Sequence, residues 1–238
     1  MNEPARKRPG PGGFAHPRAD RRDARADERD AVLDALRQRI ASQKLAPGTR
    51  ISEQAVCDEF GISRAQVRDV FGDLAQRGLI ERVPNRGAFV ARIDPDLAFE
   101  LFDVREVLEG LCVRVATERA PPETWQPFLD ALDDAMMERV KKGEIEPYIQ
   151  VVDSLRAKTI EVAGNELAET LLADIRDRTF VLIRRMLVLP GRAEQGVIEN
   201  RLFLAAMRRG DAIEAERLKR ANVRSARAWV ERYRTFIF

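Results

Sequence analysis

Apolar residues recur with the period of an α-helix over most of the chain. From about Glu28 to Lys44 they stand three and four positions apart, and a turn at residues 46–49 ends this segment. From Pro95 onward the same period continues, interrupted only by short groups of proline, glycine, asparagine and aspartate. These breaks predict six helices, at about 96–119, 122–142, 145–163, 166–189, 192–208 and 211–236. Since the connections are short, we expect an antiparallel helical bundle.

Two short helices are predicted after the turn at residues 46–49, and each carries a start signal. Ser52 is placed to cap the first helix, and Ser63 the second, where Gln66 completes a capping box. A glycine marks the tight turn between them, and Gly78 ends the second helix. The pattern therefore predicts a helix-turn-helix whose second helix begins at Arg64.

Strand-like runs follow at residues 79–83 and 88–92. They are joined by the turn-forming sequence Pro84-Asn85-Arg86-Gly87, which predicts a two-stranded wing. The expected fold class is mainly α. A winged helix-turn-helix at residues 28–92 is followed by an all-helical antiparallel bundle at residues 96–238.

Charge is distributed unevenly along the 238 residues. The net formal charge is +3 over residues 1–27, +2 over residues 28–92 and −3 over residues 93–238. The basic part is therefore at the front, where a polyanion would bind. Residues 1–27 also combine little apolar content with several proline and glycine residues, so we predict a disordered basic arm there.

The chain has one histidine, His16, and it lies in the predicted arm. Ser-His-Asp catalysis and histidine-based zinc sites are therefore excluded from the folded part. No apolar run approaches the roughly 18 residues of a spanning helix, and the start lacks the apolar stretch of a secretory signal. We predict a cytoplasmic protein with no membrane association and no cofactor.

Arginines occupy the outer face of the second predicted helix. Its inner, apolar stripe consists of Val67, Val70, Phe71 and Leu74. An arginine near the start of such a helix enters the major groove and donates two hydrogen bonds to guanine, which discriminates by about 1–3 kcal/mol. We interpret Arg64 as a base reader, Arg68 as a base or phosphate contact, and Gln66 as a contact to adenine or phosphate.

Two further contacts to phosphate are predicted around this helix, from the Ser63 hydroxyl and from Arg86 at the wing tip. The alternative is that the arginines form only a solvated helix face. The tandem caps, the apolar stripe and the basic wing occur together in the order that the motif requires, which favours DNA binding.

Three segments resemble the DNA-binding domain of GntR-family bacterial transcription regulators. They are residues 47–53 (PGTRISE), 61–69 (GISRAQVRD) and 78–90 (GLIERVPNRGAFV). The resemblance implies that Arg64 and Arg68 contact the operator. Gln54 departs from the arginine that the family commonly has near the DNA. The expected DNA-binding set is Arg50, Ser52, Gln54, Ser63, Arg64, Gln66, Arg68, Arg86 and Gly87.

Residues 104–109 (VREVLE) and 163–165 (AGN) resemble landmarks of the FCD effector domain, which defines the FadR subfamily. The resemblance implies a homodimer whose helical bundle encloses a pocket, commonly for an organic acid. Many members hold a divalent metal there through an aspartate and three histidines. Those positions fall on Val152, Arg156, Asn200 and Asn222, so we predict no metal site of the family type.

These replacements suggest direct binding of an anion. An arginine forks onto a carboxylate with two charge-assisted hydrogen bonds, and asparagines hold further oxygens. Our hypothesis is that Arg156, Asn200 and Asn222 bind an anionic ligand. Arg105 joins them because the family faces that position toward the cavity.

Two alternatives remain for the charged residues of the bundle. In the first, the pocket binds no ligand and Arg156 pairs internally with Asp153 or Glu199. In the second, carboxylates of the bundle form an acid/base pair, whereas we interpret them as solvated helix faces. These carboxylates are Glu106, Glu109, Asp130, Asp133 and Asp134.

These features together predict a ligand-responsive transcription regulator that is not an enzyme and has no catalytic residues. A homodimer would bind a two-fold-related double-stranded DNA operator, and a small carboxylate would act as effector. The tendency of the family favours a repressor that leaves its operator when the ligand binds. The alternatives are an architectural DNA-binding protein without an effector and a metal-independent helical enzyme that carries a winged helix.

Overall fold

The computed structural model describes the backbone from residue 17 and the side chains from residue 27 to the C-terminus. The first helix, α1, spans Pro17–Ala41. The predicted disordered arm is therefore wrong for residues 17–27, which are helical, while residues 1–16, with His16, lie outside the described residues. Residues 17–27 lack an apolar period but are rich in alanine and arginine, which favour helices. Proline suits the first helical position, and aspartate suits the first turns.

The predicted helix-turn-helix is formed by α2, Glu53–Phe60, and α3, Arg64–Gln76. Ser52 caps α2 by accepting a hydrogen bond from the amide of Ala55. The capping box predicted at the start of α3 is confirmed, since Ser63 and Gln66 each accept a hydrogen bond from the other's backbone amide. The apolar stripe is confirmed as well, with Val67, Val70, Phe71 and Leu74 all buried.

The wing contains one strand more than the sequence predicts. The hairpin of β2, Ile80–Val83, and β3, Gly87–Val90, is extended by β1, Arg50–Ile51. All pairs are antiparallel, and the strand order is β1-β3-β2. A strand of two residues is too short to display an alternating pattern, so periodicity alone does not reveal it.

The second domain consists of helices joined by short connections. They are α4 Pro95–Arg119, α5 Gln126–Ala131, α6 Asp134–Lys141, α7 Glu146–Ala163, α8 Glu166–Leu187, α9 Arg192–Arg208, α10 Ala212–Arg232 and α11 Arg234–Ile237. The prediction of one helix over 122–142 is wrong, because a 3₁₀ turn at Pro122–Trp125 and a break at Asp133 divide it. Asp133 accepts a hydrogen bond from the Met136 amide and so starts α6 instead of continuing α5.

Helix α10 packs along α4 and α9, and α4 also packs against α7 and α8. Helix α8 additionally contacts α1 of the winged helix. Val181 of α8 is buried in the core of the winged helix together with Leu36 and Phe71. The two domains therefore share apolar packing through α8.

Within the described range, no helix is long and apolar enough to cross a lipid bilayer.

Candidate functional site

A groove runs between the wing and the helix-turn-helix. Five residues of the predicted DNA-binding set line it, namely Arg50, Ser52, Gln54, Arg64 and Gly87. The Arg64 guanidinium donates a hydrogen bond of 2.5 Å to Oε1 of Gln54, whose amide nitrogen donates one of 2.7 Å to Asp58. Gln54 therefore orients the arginine that we interpret as the base reader.

Arg68 lies one turn further along α3, and 65% of its side chain is exposed. Its Nε is 3.3 Å from a carboxylate oxygen of Glu53, and its backbone carbonyl accepts a hydrogen bond of 2.7 Å from Arg82. An exposed pair of this kind is weak, so phosphate can replace Glu53 at little cost. Ser63 and Gln66 are placed at the start of α3, where their side chains already serve the capping box.

Arg50 of β1 lines this groove beside Gly87 of the wing, whereas Arg86 of the wing turn is not among the described residues that line it. Gly87 has φ +99°, and a Cβ there would stand 3.4 Å from Nε of Arg50, so a side chain would be strained and would crowd that arginine. The Arg86 guanidinium lies over the ring of Phe89, 6.0 Å from its centroid. The groove is therefore lined by arginines from β1, α3 and β2, namely Arg50, Arg64 and Arg82.

A second concave site lies inside the helical domain, where α4, α7, α8, α9 and α10 meet. All four predicted ligand-binding residues line this one cavity: Arg105, Arg156, Asn200 and Asn222. Tyr148, Asp153, Arg192 and Lys219 also line it, together with apolar residues of α7 and α8.

Glu109 is the centre of the charge in this cavity, and only 3% of it is exposed. Its Oε1 accepts a hydrogen bond of 2.7 Å from Nε of Arg105, and its Oε2 is 2.8 Å from Nζ of Lys219. Nε of Arg156 is 3.9 Å from Oε1. Three cations thus surround one carboxylate.

The interpretation of Glu109 as part of a solvated helix face is wrong. It lies four positions after Arg105 on the inner face of α4, where the helical period buries both. Burial alone would raise the pKa of Glu109, but the charges of Arg105, Lys219 and Arg156 outweigh it and hold that pKa far below its usual value. The carboxylate is therefore ionised at neutral pH, which does not suit a proton-transfer group.

The cations around Glu109 are not fully hydrogen-bonded. Nη1 of Arg105 and Nε of Arg156 are buried without a hydrogen-bond partner among the described residues. Nη2 of Arg156 donates one weak hydrogen bond, of 3.3 Å, to the backbone carbonyl of Leu172. Burial lowers the pKa of Arg156, and its nearest ion-pair partner is Glu109 rather than Asp153 or Glu199.

The two asparagines form hydrogen bonds with different partners. Asn200 donates to the hydroxyl of Tyr148, at 2.9 Å, and to a backbone carbonyl of its own helix. Asn222 donates to Glu199, at 2.8 Å, and Glu199 also binds Arg192 at 3.1 Å. Glu199 is therefore already paired with Arg192 and does not form an ion pair with Arg156.

A separate charged contact joins the two domains. Asp177 of α8 is 4% exposed and accepts hydrogen bonds from Arg37 of α1, through Nε at 2.9 Å, and from Arg77 at the end of α3, at 2.8 Å. Nε of the adjacent Arg178 donates to the backbone carbonyl of Arg77. We call Asp177, Arg37 and Arg77 the interdomain clamp.

Family models match both domains of the chain. The model described as bacterial regulatory proteins, gntR family, matches residues 28–90, and the model of the FCD domain matches residues 100–225. The chain belongs to the GntR family and carries an FCD effector-binding domain. It is a transcription regulator rather than an enzyme, as the sequence predicts.

Curated relatives of this GntR regulator carry regulator names. An HTH-type transcriptional regulator in an unstable DNA locus of Streptomyces ambofaciens is 27% identical over 89% of this chain and 88% of its own length. The Nta operon transcriptional regulator of Aminobacter aminovorans is 29% identical over 58% of this chain and 64% of its own length. The galactonate operon transcriptional repressor of Escherichia coli is 30% identical over 44% of this chain and 55% of its own length.

Solved structures confirm the fold of this GntR regulator. Escherichia coli McbR/YncC superposes with a TM-score of 0.71 at 18% identity, covering 87% of this chain and 98% of that one. A GntR regulator from Rhodococcus sp. RHA1 superposes with a TM-score of 0.70 at 21% identity, covering 87% of this chain and 99% of that one.

The positions at which FCD domains commonly hold a metal come together on the cavity wall of this regulator. They are occupied by Val152, Arg156, Asn200 and Asn222. An arginine cation and an apolar side chain do not suit a divalent cation, and two further cations stand close by. Among the described residues, no group of three or more His, Cys, Asp or Glu side chains is placed to hold one.

Sequence reasoning missed the roles of three polar residues of this GntR regulator: Glu109, Lys219 and Asp177. Glu109 had a detectable signal, since it follows Arg105 by four positions on a helix whose neighbouring positions are apolar. Lys219 and Asp177 had none, because their partners come from other helices of the fold.

Proposed function

We propose that this GntR regulator binds a two-fold-related operator as a homodimer and represses transcription until a small organic carboxylate enters the FCD cavity. The observation that carries the proposal is the excess of buried cations around Glu109. Arg105, Arg156 and Lys219 face one carboxylate there, and two of their donor nitrogens have no hydrogen-bond partner among the described residues.

A carboxylate ligand would complete this cluster. Buried charges are costly unless they are paired and hydrogen-bonded, and a carboxylate supplies both a negative charge and acceptor oxygens. Arg156 is the main anchor, because its contact with Glu109, at 3.9 Å, is longer than those of Arg105 and Lys219 and its Nε donates no hydrogen bond to any described residue. Asn200 and Asn222 stand beside it as further polar contacts.

DNA binding is assigned to the groove between the wing and α3. Arg64 would exchange its hydrogen bond to Gln54 for a base edge, and Arg68 would exchange Glu53 for phosphate. Gln54, at the position where the family commonly has arginine, would act through Arg64. Arg50 and Arg86 would contact the adjacent backbone or minor groove.

Repression is inferred from relatives. The galactonate operon protein and RspR of Escherichia coli are named repressors, and they are 30% and 25% identical to this chain over their matched parts. A ligand releases DNA only if it binds the DNA-incompetent arrangement of the dimer more tightly.

The DNA half of the proposal is tested by fluorescence anisotropy on the DNA upstream of the regulator's own gene. We expect Arg64→Ala to lose about 1–3 kcal/mol of binding and to relax base preference, while Arg68→Ala weakens all sequences and lowers the salt slope. Arg217→Ala is the matched control, since Arg217 lies on an exposed part of α10. Equal affinity of the wild type for operator and random DNA would contradict the operator model.

The effector half is tested by thermal shift with a panel of carboxylic acids, each with and without chelator. We expect stabilisation that chelator does not change and that Arg156→Ala abolishes, while Arg217→Ala keeps it. An acid that raises the Tm of the regulator should also release it from operator DNA. An acid-independent DNA affinity would instead favour an architectural protein, and sedimentation analysis of the free protein tests the homodimer.

A further inference from the structure

A second, largely apolar compartment adjoins the charged cluster of the FCD cavity and shares part of its lining. This compartment is lined by Cys112, Val113, Val152, Leu155, Thr159, Ile160 and Phe203. Glu109, Arg156, Asn200 and Lys219 border both compartments. A ligand whose charged end reaches Arg156 therefore has its other end at an apolar wall.

The few polar atoms on this wall offer a ligand no strong hydrogen-bond donor. The hydroxyl of Thr159 donates a hydrogen bond of 2.8 Å to the Leu155 carbonyl of its own helix. Burial raises the pKa of the Cys112 thiol to about 11, which keeps it neutral. A second carboxylate placed here would find no donor, and a hydroxyl could at most donate to the Thr159 oxygen, so both cost binding free energy relative to an apolar group.

The charged compartment does not favour a second carboxylate either. Glu109 accepts a hydrogen bond from Arg105 and forms an ion pair with Lys219 at 2.8 Å, so Arg156 is the cation with the weakest pairing. Asp153 lines the same compartment and would repel a further anion. The cluster therefore favours a ligand with a single carboxylate group.

From this arrangement we propose that the effector is a monocarboxylate with a short apolar tail, whose carboxylate binds Arg156 and whose tail fills the compartment beside Cys112. The inference rests on the proposed function and narrows it to a ligand class. It excludes sugar acids and dicarboxylates as effectors of this regulator.

The tail is short because the apolar compartment is small. Its volume is about 20 Å³, and roughly 10–15 Å³ of such space accommodates one water-sized group. One or two methyl-sized groups fit. If the α-carbon stays beside the carboxylate and only the later carbons enter, this corresponds to propionate or butyrate. Each methylene that enters should tighten binding about fourfold, and methylenes beyond the compartment should add nothing.

The test is a calorimetric titration of the full-length regulator with matched acids. Acetate, propionate, butyrate, pentanoate and hexanoate vary the tail length alone. Succinate replaces the terminal methyl of butyrate by a carboxylate, and 4-hydroxybutyrate replaces the terminal methyl of pentanoate by a hydroxyl. We expect affinity to rise from acetate to butyrate and then level off or fall. Each polar analogue should bind at least about tenfold more weakly than its apolar partner.

Two variants at Cys112 move the expected optimum in opposite directions. Cys112→Leu fills the compartment and should make acetate the best ligand, whereas Cys112→Ala enlarges it and should favour a tail longer by about one carbon. Cys57→Ala, in the winged helix, is the matched cysteine control and should leave the series unchanged. If Cys112→Leu does not fold, the opposite shift in Cys112→Ala still decides the question.

The outcomes separate this inference from the proposed function. If succinate or 4-hydroxybutyrate binds as tightly as its apolar partner, or if the Cys112 variants leave the optimum in place, the ligand class is wrong while carboxylate sensing stands. If no acid binds the wild type, or if Arg156→Ala binds acids as the wild type does, both proposals fail.

Discussion

Two carboxylates of this chain, Glu109 and Asp177, are almost equally buried and are both surrounded by cations, yet their surroundings differ. Asp177 accepts hydrogen bonds from Arg37 through one oxygen and from Arg77 through the other. Glu109 lies among three cations whose donors are incompletely used, and it borders both compartments of the cavity. A closed ion-pair cluster fixes two domains to each other, whereas an incomplete one is prepared for a further anion.

The largest expected effect is that of Glu109→Gln. Removing the carboxylate leaves Arg105, Arg156 and Lys219 buried without their counter-charge, which should cost about 3–5 kcal/mol of unfolding free energy. Urea unfolding measures the loss. Glu106→Gln, on the same helix but paired with the exposed Arg224, is the control and should cost less than about 1 kcal/mol. Equal losses in the two variants would contradict the special position of Glu109.

Acidification should weaken the same cluster. The pKa of Glu109 is lowered in the folded state, so its stabilisation is complete above the unfolded value of 4.5 and is lost as the pH falls below it. We expect the difference in Tm between wild type and Glu109→Gln to shrink below about pH 4.5. A difference that stays constant down to pH 3 would show that the carboxylate is not responsible.

A smaller loss is expected for Asp177→Asn, about 1–3 kcal/mol, because Arg37 and Arg77 are partly exposed and water compensates them. The more specific consequence is separation of the domains, seen as two unfolding transitions in calorimetry where the wild type has one. Asp174→Asn, on an exposed position of α8, is the control. A single transition in Asp177→Asn would mean that apolar packing alone couples the domains.

The smallest effects separate the two arginines of the interdomain clamp. Arg37, whose side chain is 21% exposed, should lose about 1–2 kcal/mol on replacement by alanine, and Arg77, at 42%, less than about 1 kcal/mol. The Arg37 pKa supports this order, since the bond and charge of Asp177 raise it despite burial. Thermal denaturation of both variants measures the difference, and a larger loss at Arg77 would reverse the interpretation.

Local signals explain how well the front domain could be predicted. The Ser63 and Gln66 capping box and the apolar stripe of α3 involve residues within one or two helical turns, so the sequence contains all of their determinants. The start of α1 was missed because residues 17–27 have helix propensity but no apolar period. The strand β1 depends on pairing with β3, which lies almost forty residues away.

The cavity was predictable in part for a different reason. Arg105, Arg156, Asn200 and Asn222 were placed together by resemblance to the FCD domain, and the structure brings them to one cavity. Their ligand-binding role stays a prediction. The pairing of Lys219 with Glu109 and the contact of Asp177 with Arg37 span 110 and 140 residues. Neither can be inferred from spacing along one helix.

The interdomain clamp bears on how such regulators can be recombined. A chimaera that joins this FCD domain to the winged helix of a relative would bury Asp177 against whatever replaces Arg37 and Arg77. Cutting the chain in the connection at residues 91–94 therefore does not isolate two interchangeable parts. The two domains interact through side chains of α1, α3 and α8. A functional hybrid must therefore keep Arg37 and Arg77 together with Asp177.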